Sequence, residues 1–274
     1  MKQLALINAQ TQVCTTIANP NRATISPIMH NAGFAELDLN FVYLAFEPTD
    51  LAGAVSAIRA LGIRGSSVSK PFKIDIMQYL DKIDPIAERI GAVNTVDNDN
   101  GTLVGYNSDW IGAVNALREV TNLDGKSVAL IGAGGAGRAI AFGLLDAKSD
   151  VTIFNRTQRR GEELAAQTGA KWGGTAFEDA GGFDILVNAT SVGTGDSVGQ
   201  LPLAAAALAE HLIVLDAVFN PAMTPLLEAA SKAGCNVING LHMLVHQGAF
   251  QFNLFTGRDA PIGVMEQAAK AALA

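Results

Sequence analysis

Cysteine is nearly missing from this sequence, charge is sparse, and no stretch is apolar for long. Two cysteines occur in 274 residues, Cys14 and Cys235, and they have no metal-ligand spacing. That excludes a disulfide framework and fits a reduced, cytoplasmic chain with no bound metal. Charged residues make up 16% of the chain, with a net charge of −7 and no Lys/Arg run. A nucleic-acid partner has no electrostatic footprint here. The longest apolar run, 201–219, is broken by Pro202, Glu210, His211 and Asp216, so no membrane span is expected. The opening "MKQLALINAQTQ" turns polar too soon for a secretion signal. No internal repeat and no low-complexity segment is visible.

What is present is apolar residue in bulk, 49% of the chain, enough to fill two cores. "FVYLAFE" (41–47) predicts a buried strand, "DLAGAVSAIRALG" (50–62) a helix stopped by Gly62, and "IRGSSVS" (63–69) another strand. "PFKIDIMQYLDKI" (71–83) predicts a helix, with Pro71 in its first turn and Ile74, Met77 and Leu80 on one face. Two runs around Asn100-Gly101 predict a hairpin. A helix follows over 109–120.

From residue 121 the texture becomes that of a parallel α/β domain. "SVALI" is a continuous apolar strand, as are "FDILVNAT" (183–190) and "HLIVLDAVF" (211–219); "NVIN" (236–239) is a further strand. Helices are predicted again from 240 to 257 and over 262–273. The expected architecture is α/β in two domains. Residues 1–105 with 240–274 form an α/β substrate domain, and 106–239 a doubly wound dinucleotide-binding domain of the Rossmann type.

Gly132, Gly134 and Gly137 match G-x-G-x-x-G between a strand and a helix, the setting that motif requires. Glycines let the backbone approach a pyrophosphate, and the helix N-terminus supplies N–H donors. A tight strand–helix turn without ligand is the alternative. After the second strand comes Asn155-Arg156-Thr157, with Arg159 and Arg160 close behind. No carboxylate is there to accept a ribose 2′-hydroxyl, whereas arginines grip a 2′-phosphate. NADP is therefore expected rather than NAD.

Hydride chemistry needs a proton carrier. None of His30, His211, His242 and His246 sits in an obvious catalytic loop. Lys73 is the better candidate, because a helix N-terminus would disfavour its charged form. Asp109, opening the next helix, is a carboxylate able to hold it. An exposed lysine and a helix-capping aspartate have the same positions, so position alone does not decide.

Taken together the motifs resemble the shikimate dehydrogenase family. Thr24-Ile25-Ser26-Pro27-Ile28-Met29-His30-Asn31 is similar to its Ser-x-Ser-Pro-x-x-His-Asn signature. Ser67-Val68-Ser69-Lys70-Pro71-Phe72-Lys73 is similar to its Asn-Val-Thr-x-Pro-x-Lys motif. "GAVNT" (91–95), "GYNSDWIG" (105–112), "GAGGAGRA", "NRT", "NATSVG" (188–193) and "GLHMLVHQGAFQFNLFTG" (240–257) follow in family order. "RALGIRGSSVSKPFK" looks most like the shikimate dehydrogenase-like branch.

The resemblance implies NADP-linked, reversible reduction of 3-dehydroshikimate to shikimate. A monomer or homodimer is expected, and the sequence does not choose between them. It implies Lys73 and Asp109 as the catalytic pair. It assigns the substrate carboxylate to Thr24 and Ser26, and substrate hydroxyls to Ser67, Ser69, Asn94 and Gln247. The cofactor would meet Gly132, Ala133, Gly134, Gly135, Ala136, Gly137, Asn155, Arg156, Thr157, Arg160, Thr190, Ser191, Val218 and Gly240. Departures from the family pattern are Ser67 for asparagine, Thr24 for serine, Ser69 for threonine, Ser108 for threonine, Thr194 for methionine and Phe219 for tyrosine. The run "NPNRATISP" also departs. Rival readings are the same chemistry on quinate or an aminoshikimate, a non-catalytic NADP(H) or metabolite binder, and a tetrahydrofolate dehydrogenase type.

Overall fold

The computed structural model describes residues 7–20 and 24–273. Residues 1–6 of the amino-terminal stretch, Asn21, Arg22 and Ala23 of "NPNRATISP", and Ala274 lie outside the described residues. The chain divides into one unit made of Met1–Ser108 with Gln247–Ala274 and a second made of Asp109–His246.

The first unit alternates strand and helix: β1 (Gln12–Ile17), α1 (Ser26–Glu36), β2 (Phe41–Phe46), α2 (Leu51–Ala60) and β3 (Gly65–Val68). A short 3-10 helix (Asp75–Tyr79), β4 (Lys82–Ile83) and α3 (Pro85–Ile90) follow. The hairpin of β5 (Thr95–Asp99) and β6 (Thr102–Tyr106) ends the series. The sheet order is β2-β1-β3-β5-β6-β4. β1 runs parallel to β2 and β3, and β5 antiparallel to β3 and β6. Asn100 and Gly101 turn the hairpin with φ of 51° and 93°, the left-handed pair that matches strand twist.

The second unit runs α4 (Asp109–Arg118), β7 (Ser127–Ile131), α5 (Gly135–Asp146), β8 (Asp150–Phe154), α6 (Gln158–Thr168) and β9 (Lys171–Gly174). It continues with β10 (Ile185–Asn188), β11 (Ile213–Asp216), α7 (Pro225–Lys232) and β12 (Asn236–Asn239). Its strands are all parallel, in the order β12-β11-β10-β7-β8-β9. "SVALI" is unbroken because both its faces are covered. Val128 and Leu130 join a core with α4, α5 and α6, while Ala129 and Ile131 join one with α7.

Helix α8 (Gly240–Thr256) begins in the second unit and ends in the first, to which α9 (Ile262–Leu273) also belongs. The sequence places the domain breaks at 105/106 and 239/240, whereas the units divide at 108/109 and 246/247. Met243, in the first turn of α8, packs into the second core, so the start of that helix is not a unit boundary.

One predicted helix is absent. Residues 70–73 form a turn, and only the 3-10 helix follows. The spacing of Ile74, Met77 and Leu80 is three, which is a 3-10 repeat and not 3.6. Ile74 is 67% exposed, and Ile76 is the fully buried residue. The helix dipole invoked for Lys73 therefore has no α-helix behind it.

One face of the first sheet is covered by α2, the 3-10 helix and α3, around Ile17, Val55, Ile58, Val68, Ile76 and Val96. The other carries an aromatic cluster. His30 stacks on Tyr43 with ring centroids 4.3 Å apart and 11° between planes, with Phe34, Phe252 and Phe255 around it. β3 approaches α8 so closely that a Cβ on Gly65 would sit 2.2 Å from the Phe255 ring. His30 is wholly buried, and neither ring nitrogen has a hydrogen-bond partner among the described residues. Burial lowers its pKa from 6.5 to about 3.

The unfolded chain binds a proton at this histidine below pH 6.5 that the folded chain refuses until about 3. Stability is thus complete above that window and declines as pH falls through it, by at most ~1.4 kcal/mol per unit. His30→Leu is expected to flatten this decline: the melting-temperature gap between neutral and mildly acidic buffer should shrink relative to wild type. An unchanged gap would mean His30 is not the group responsible.

Candidate active site

Ligands of a doubly wound sheet bind outside the carboxyl ends of the strands, where the strand order reverses. In the second unit that point lies between β7 and β10. A cleft of about 380 Å³ opens there. Gly132, Ala133 and Gly134 form one wall, Asn155, Arg156, Thr157 and Arg160 a second, and Thr190 and Ser191 a third. Arg159 instead faces Glu163 along α6, 3.4 Å away.

The glycine loop is shaped for close approach. Gly132 has φ 111°, and a Cβ on Gly137 would lie 2.0 Å from the Gly132 carbonyl oxygen. Gly137 therefore seats α5 against the loop, while Gly134 and Gly135 leave open space above the helix N-terminus. Gly135 and Ala136 continue the first turn of α5. Val218 and Gly240 lie outside the cleft walls. A Cβ on Gly240 would meet the Ala217 carbonyl oxygen at 2.5 Å, so that glycine serves backbone packing.

Asn155 holds the loop from the side. Its Oδ1 accepts from Ala133 N–H at 2.9 Å, and its Nδ2 donates to Thr157 O at 2.8 Å. With no carboxylate after β8 and two arginines on that wall, the cleft fits a dinucleotide carrying a 2′-phosphate.

Behind the third wall lies a buried polar network that the sequence did not reveal. Asn188 Oδ1 accepts from Thr190 N–H and O–H at 3.1 and 2.7 Å. Asn188 Nδ2 donates to Asp216 Oδ1 at 2.9 Å, which also accepts from Val218 N–H at 3.1 Å. Thr224 O–H donates to Asp216 Oδ2 at 2.7 Å. Burial raises the Asp216 pKa, and these bonds oppose that rise. The residues Thr175, Ala176 and Phe177, which follow the edge strand β9 and also line the cleft, were equally unmarked.

In the first unit the predicted substrate residues are brought together in part. Thr24 O–H donates to Ser26 Oγ at 3.2 Å, at the start of α1. The strand period puts Ser66 and Ser67 on opposite faces of β3. Ser66 accepts from Thr15 at 2.9 Å, while Ser67 turns to Tyr43 and to Gln251 of α8. Ser69 lies exposed beyond the strand. Asn94 Nδ2 donates to Gln247 Oε1 at 3.3 Å. Lys73 is fixed through its backbone, its carbonyl accepting from Val93 N–H at 2.8 Å, next to Asn94. Asp109 is the first residue of α4 and is buried.

Sequence reasoning missed Tyr43, Thr95 and Gln251 here. Only Gln251 left a signal: four residues after Gln247, it shares that helical face and is polar within "GAFQF".

A doubly wound parallel sheet, a glycine loop and an arginine-lined turn define a dinucleotide-binding α/β protein with a second α/β domain. Comparison with known proteins narrows this. The shikimate dehydrogenase substrate binding domain matches residues 16–96. The shikimate/quinate 5-dehydrogenase model matches 115–194, and the shikimate 5′-dehydrogenase C-terminal domain matches 240–270. The shikimate dehydrogenase (NADP(+)) of Methanothermobacter thermautotrophicus is 41% identical, the alignment covering 98% of this chain and 99% of that protein. A crystal structure of a shikimate dehydrogenase in complex with NADP+ superposes with a TM-score of 0.94 at 40% identity, over 98% of both chains. The ligand-free 5-ketofructose reductase of a Gluconobacter strain gives 0.92 at 33% identity, over 96% of this chain and 99% of that one. The chain belongs to the shikimate dehydrogenase family.

Thr224→Val removes both the donor to Asp216 and the cap on α7, whose Leu227 N–H bonds Thr224 Oγ1 at 3.2 Å. A loss of about 1–3 kcal/mol in unfolding free energy is expected. The urea midpoint checks it, and a change under half a kcal/mol would show that the network carries no stability.

Proposed function

We propose that this chain catalyses the reversible, NADP-linked reduction of 3-dehydroshikimate to shikimate. One observation carries the reading most: the chain aligns over 98% of its length with a shikimate dehydrogenase (NADP(+)), and Lys73 is held through its backbone to Val93, next to Asn94.

When bound, the reduced nicotinamide supplies the hydride. Gly132, Ala133 and Gly134 receive the pyrophosphate, and Arg156 and Arg160 the 2′-phosphate. Thr24 and Ser26 hold the substrate carboxylate, and Asn94, Gln247, Ser67 and Ser69 its hydroxyls. Lys73 gives a proton to the carbonyl oxygen as the carbon gains hydride, and takes it back in the oxidative direction. Asp109 is its partner in orienting that proton. A second reading is favoured by the likeness to 5-ketofructose reductase together with Ser67 in place of asparagine: a polyhydroxy ketone without a carboxylate.

The test is NADPH formation from NADP and shikimate, with quinate as a parallel arm, NADPH consumption with 5-ketofructose, and NAD in place of NADP. Shikimate with NADP should be the best pair. Lys73→Met should lower kcat by roughly 10²–10⁴-fold with little change in NADP binding. Arg156→Ala should raise KM for NADP while leaving that for NAD nearly unchanged. Faster turnover of 5-ketofructose than of the shikimate couple would replace the first reading by the second.

A further inference from the structure

The buried hydrogen bonds of the first unit have a direction, and one backbone group sets it. Ser108 N–H donates to Asn94 Oδ1 at 2.7 Å. A backbone amide can only donate, so this contact must be the oxygen of Asn94, and its NH₂ end points to Gln247 Oε1. Thr95 O–H gives its single proton to the same oxygen at 2.8 Å. Thr95 Oγ1 is then left as an acceptor, and Gln251 lies 2.9 Å from it. Gln251 must present Nε2 there. Reversing its amide would set two oxygens at that distance with no proton between them. Its Oε1 consequently faces Ser67 Oγ at 2.7 Å, and Ser67 is the donor. With that proton used, the 2.5 Å contact between Ser67 and Tyr43 is a donation from the tyrosine.

We propose that Tyr43 and Gln251 are positioning residues that lock Ser67 as a pure hydrogen-bond acceptor, so that the substrate group facing Ser67 must be a donor. The inference rests on the reading of Ser67 as a substrate contact. One lone pair of Ser67 goes to Tyr43 and the other remains for substrate. A hydroxyl or an ammonium satisfies it. A fluorine, an ether oxygen or a keto group does not, and leaves two acceptors opposed. At Gln247 the demand is opposite: its Oε1 is taken by Asn94, so its NH₂ end is what it can present, and a substrate group there must accept. The asparagine usual at position 67 in the family offers both a donor and an acceptor. The serine, with its proton taken, offers one polarity only.

Two measurements test this. The first uses the free protein. In 15N-labelled protein the Gln251 side-chain NH₂ should show nuclear Overhauser contacts to Thr95 and Ser108. Contacts to Tyr43 ring protons instead would reverse the chain and overturn the proposal, whatever the substrate.

The second replaces each non-reacting hydroxyl of shikimate in turn by fluorine. One analogue should lose about 10–100-fold in kcat/KM, the range set by leaving a buried polar group unmatched. Gln251→Met frees the Ser67 proton. It should bring the hydroxyl-to-fluorine ratio for that analogue towards unity, and so should Ser67→Ala. A merely structural role for Gln251 would slow both substrates alike and leave the ratio unchanged. Unchanged ratios in both variants, with shikimate still turned over, would overturn the proposal and spare the assigned function. Absence of shikimate turnover would overturn the function, and the Overhauser contacts would still decide the direction of the chain.

Discussion

The organisation of the first unit depends on the bond from Ser108 N–H to Asn94 Oδ1. Both residues are buried, and the bond is 2.7 Å long. Side-chain hydroxyls rotate and amides can be turned over, but a backbone N–H does neither. Every later choice in the network inherits its sense: Asn94 shows nitrogen to Gln247, Thr95 accepts from Gln251, and Gln251 accepts from Ser67. A buried network is stable only when each contact pairs one donor with one acceptor. Along its shortest contacts, from Ser108 N–H to Tyr43, this one meets that condition in a single direction, which makes the polarity of Ser67 a property of the fold.

The second unit is built on the same logic with different parts. Residues that meet the cleft sit on loops after strands, and buried polar groups brace the loops from behind. Asn155 ties the glycine loop through Ala133, and Asn188 with Asp216 braces Thr190. Asp216 is fully buried, yet both carboxylate oxygens are occupied by donors. Such bracing keeps loop atoms at fixed distances without adding a side chain to the cleft itself, where space belongs to the dinucleotide.

The two units were not equally legible from sequence. Parallel strands covered on both faces leave continuous apolar runs, so β7, β10 and β11 stand out, and the glycine loop marks the turn between β7 and α5. β9 is an edge strand reading "KWGG", which carries no such run, and it went unseen with the cleft residues after it. In 71–83 the apolar repeat of three suits a 3-10 helix as well as an α-helix over so short a span, and the chain takes the former. In the first unit the serines and Lys73 were visible as a local cluster, but their division between two faces of β3 was not. Tyr43 and Gln251 act through partners 24 and 184 residues from them in sequence, and no local pattern reports such pairs.

The serine at position 67 is intelligible only with its surroundings. Tyr43 is nearly fully buried, and its ring lies against His30, which has no hydrogen-bond partner among the described residues. That stacking fixes where the phenol oxygen falls, 2.5 Å from Ser67. An imidazole with no partner is tolerable at such a site only while neutral, and the phenylalanines around it keep it so. Gly65 lets β3 lie against Phe255, bringing Ser67 within reach of Gln251 on the same helix. Aromatic packing, a neutral histidine and a missing Cβ thus act together on one hydroxyl. A change at position 67 alone, without the tyrosine and the glutamine, would leave a serine free to rotate and give or take a proton. The surrounding residues turn that ambiguous group into one with a fixed demand on what it meets.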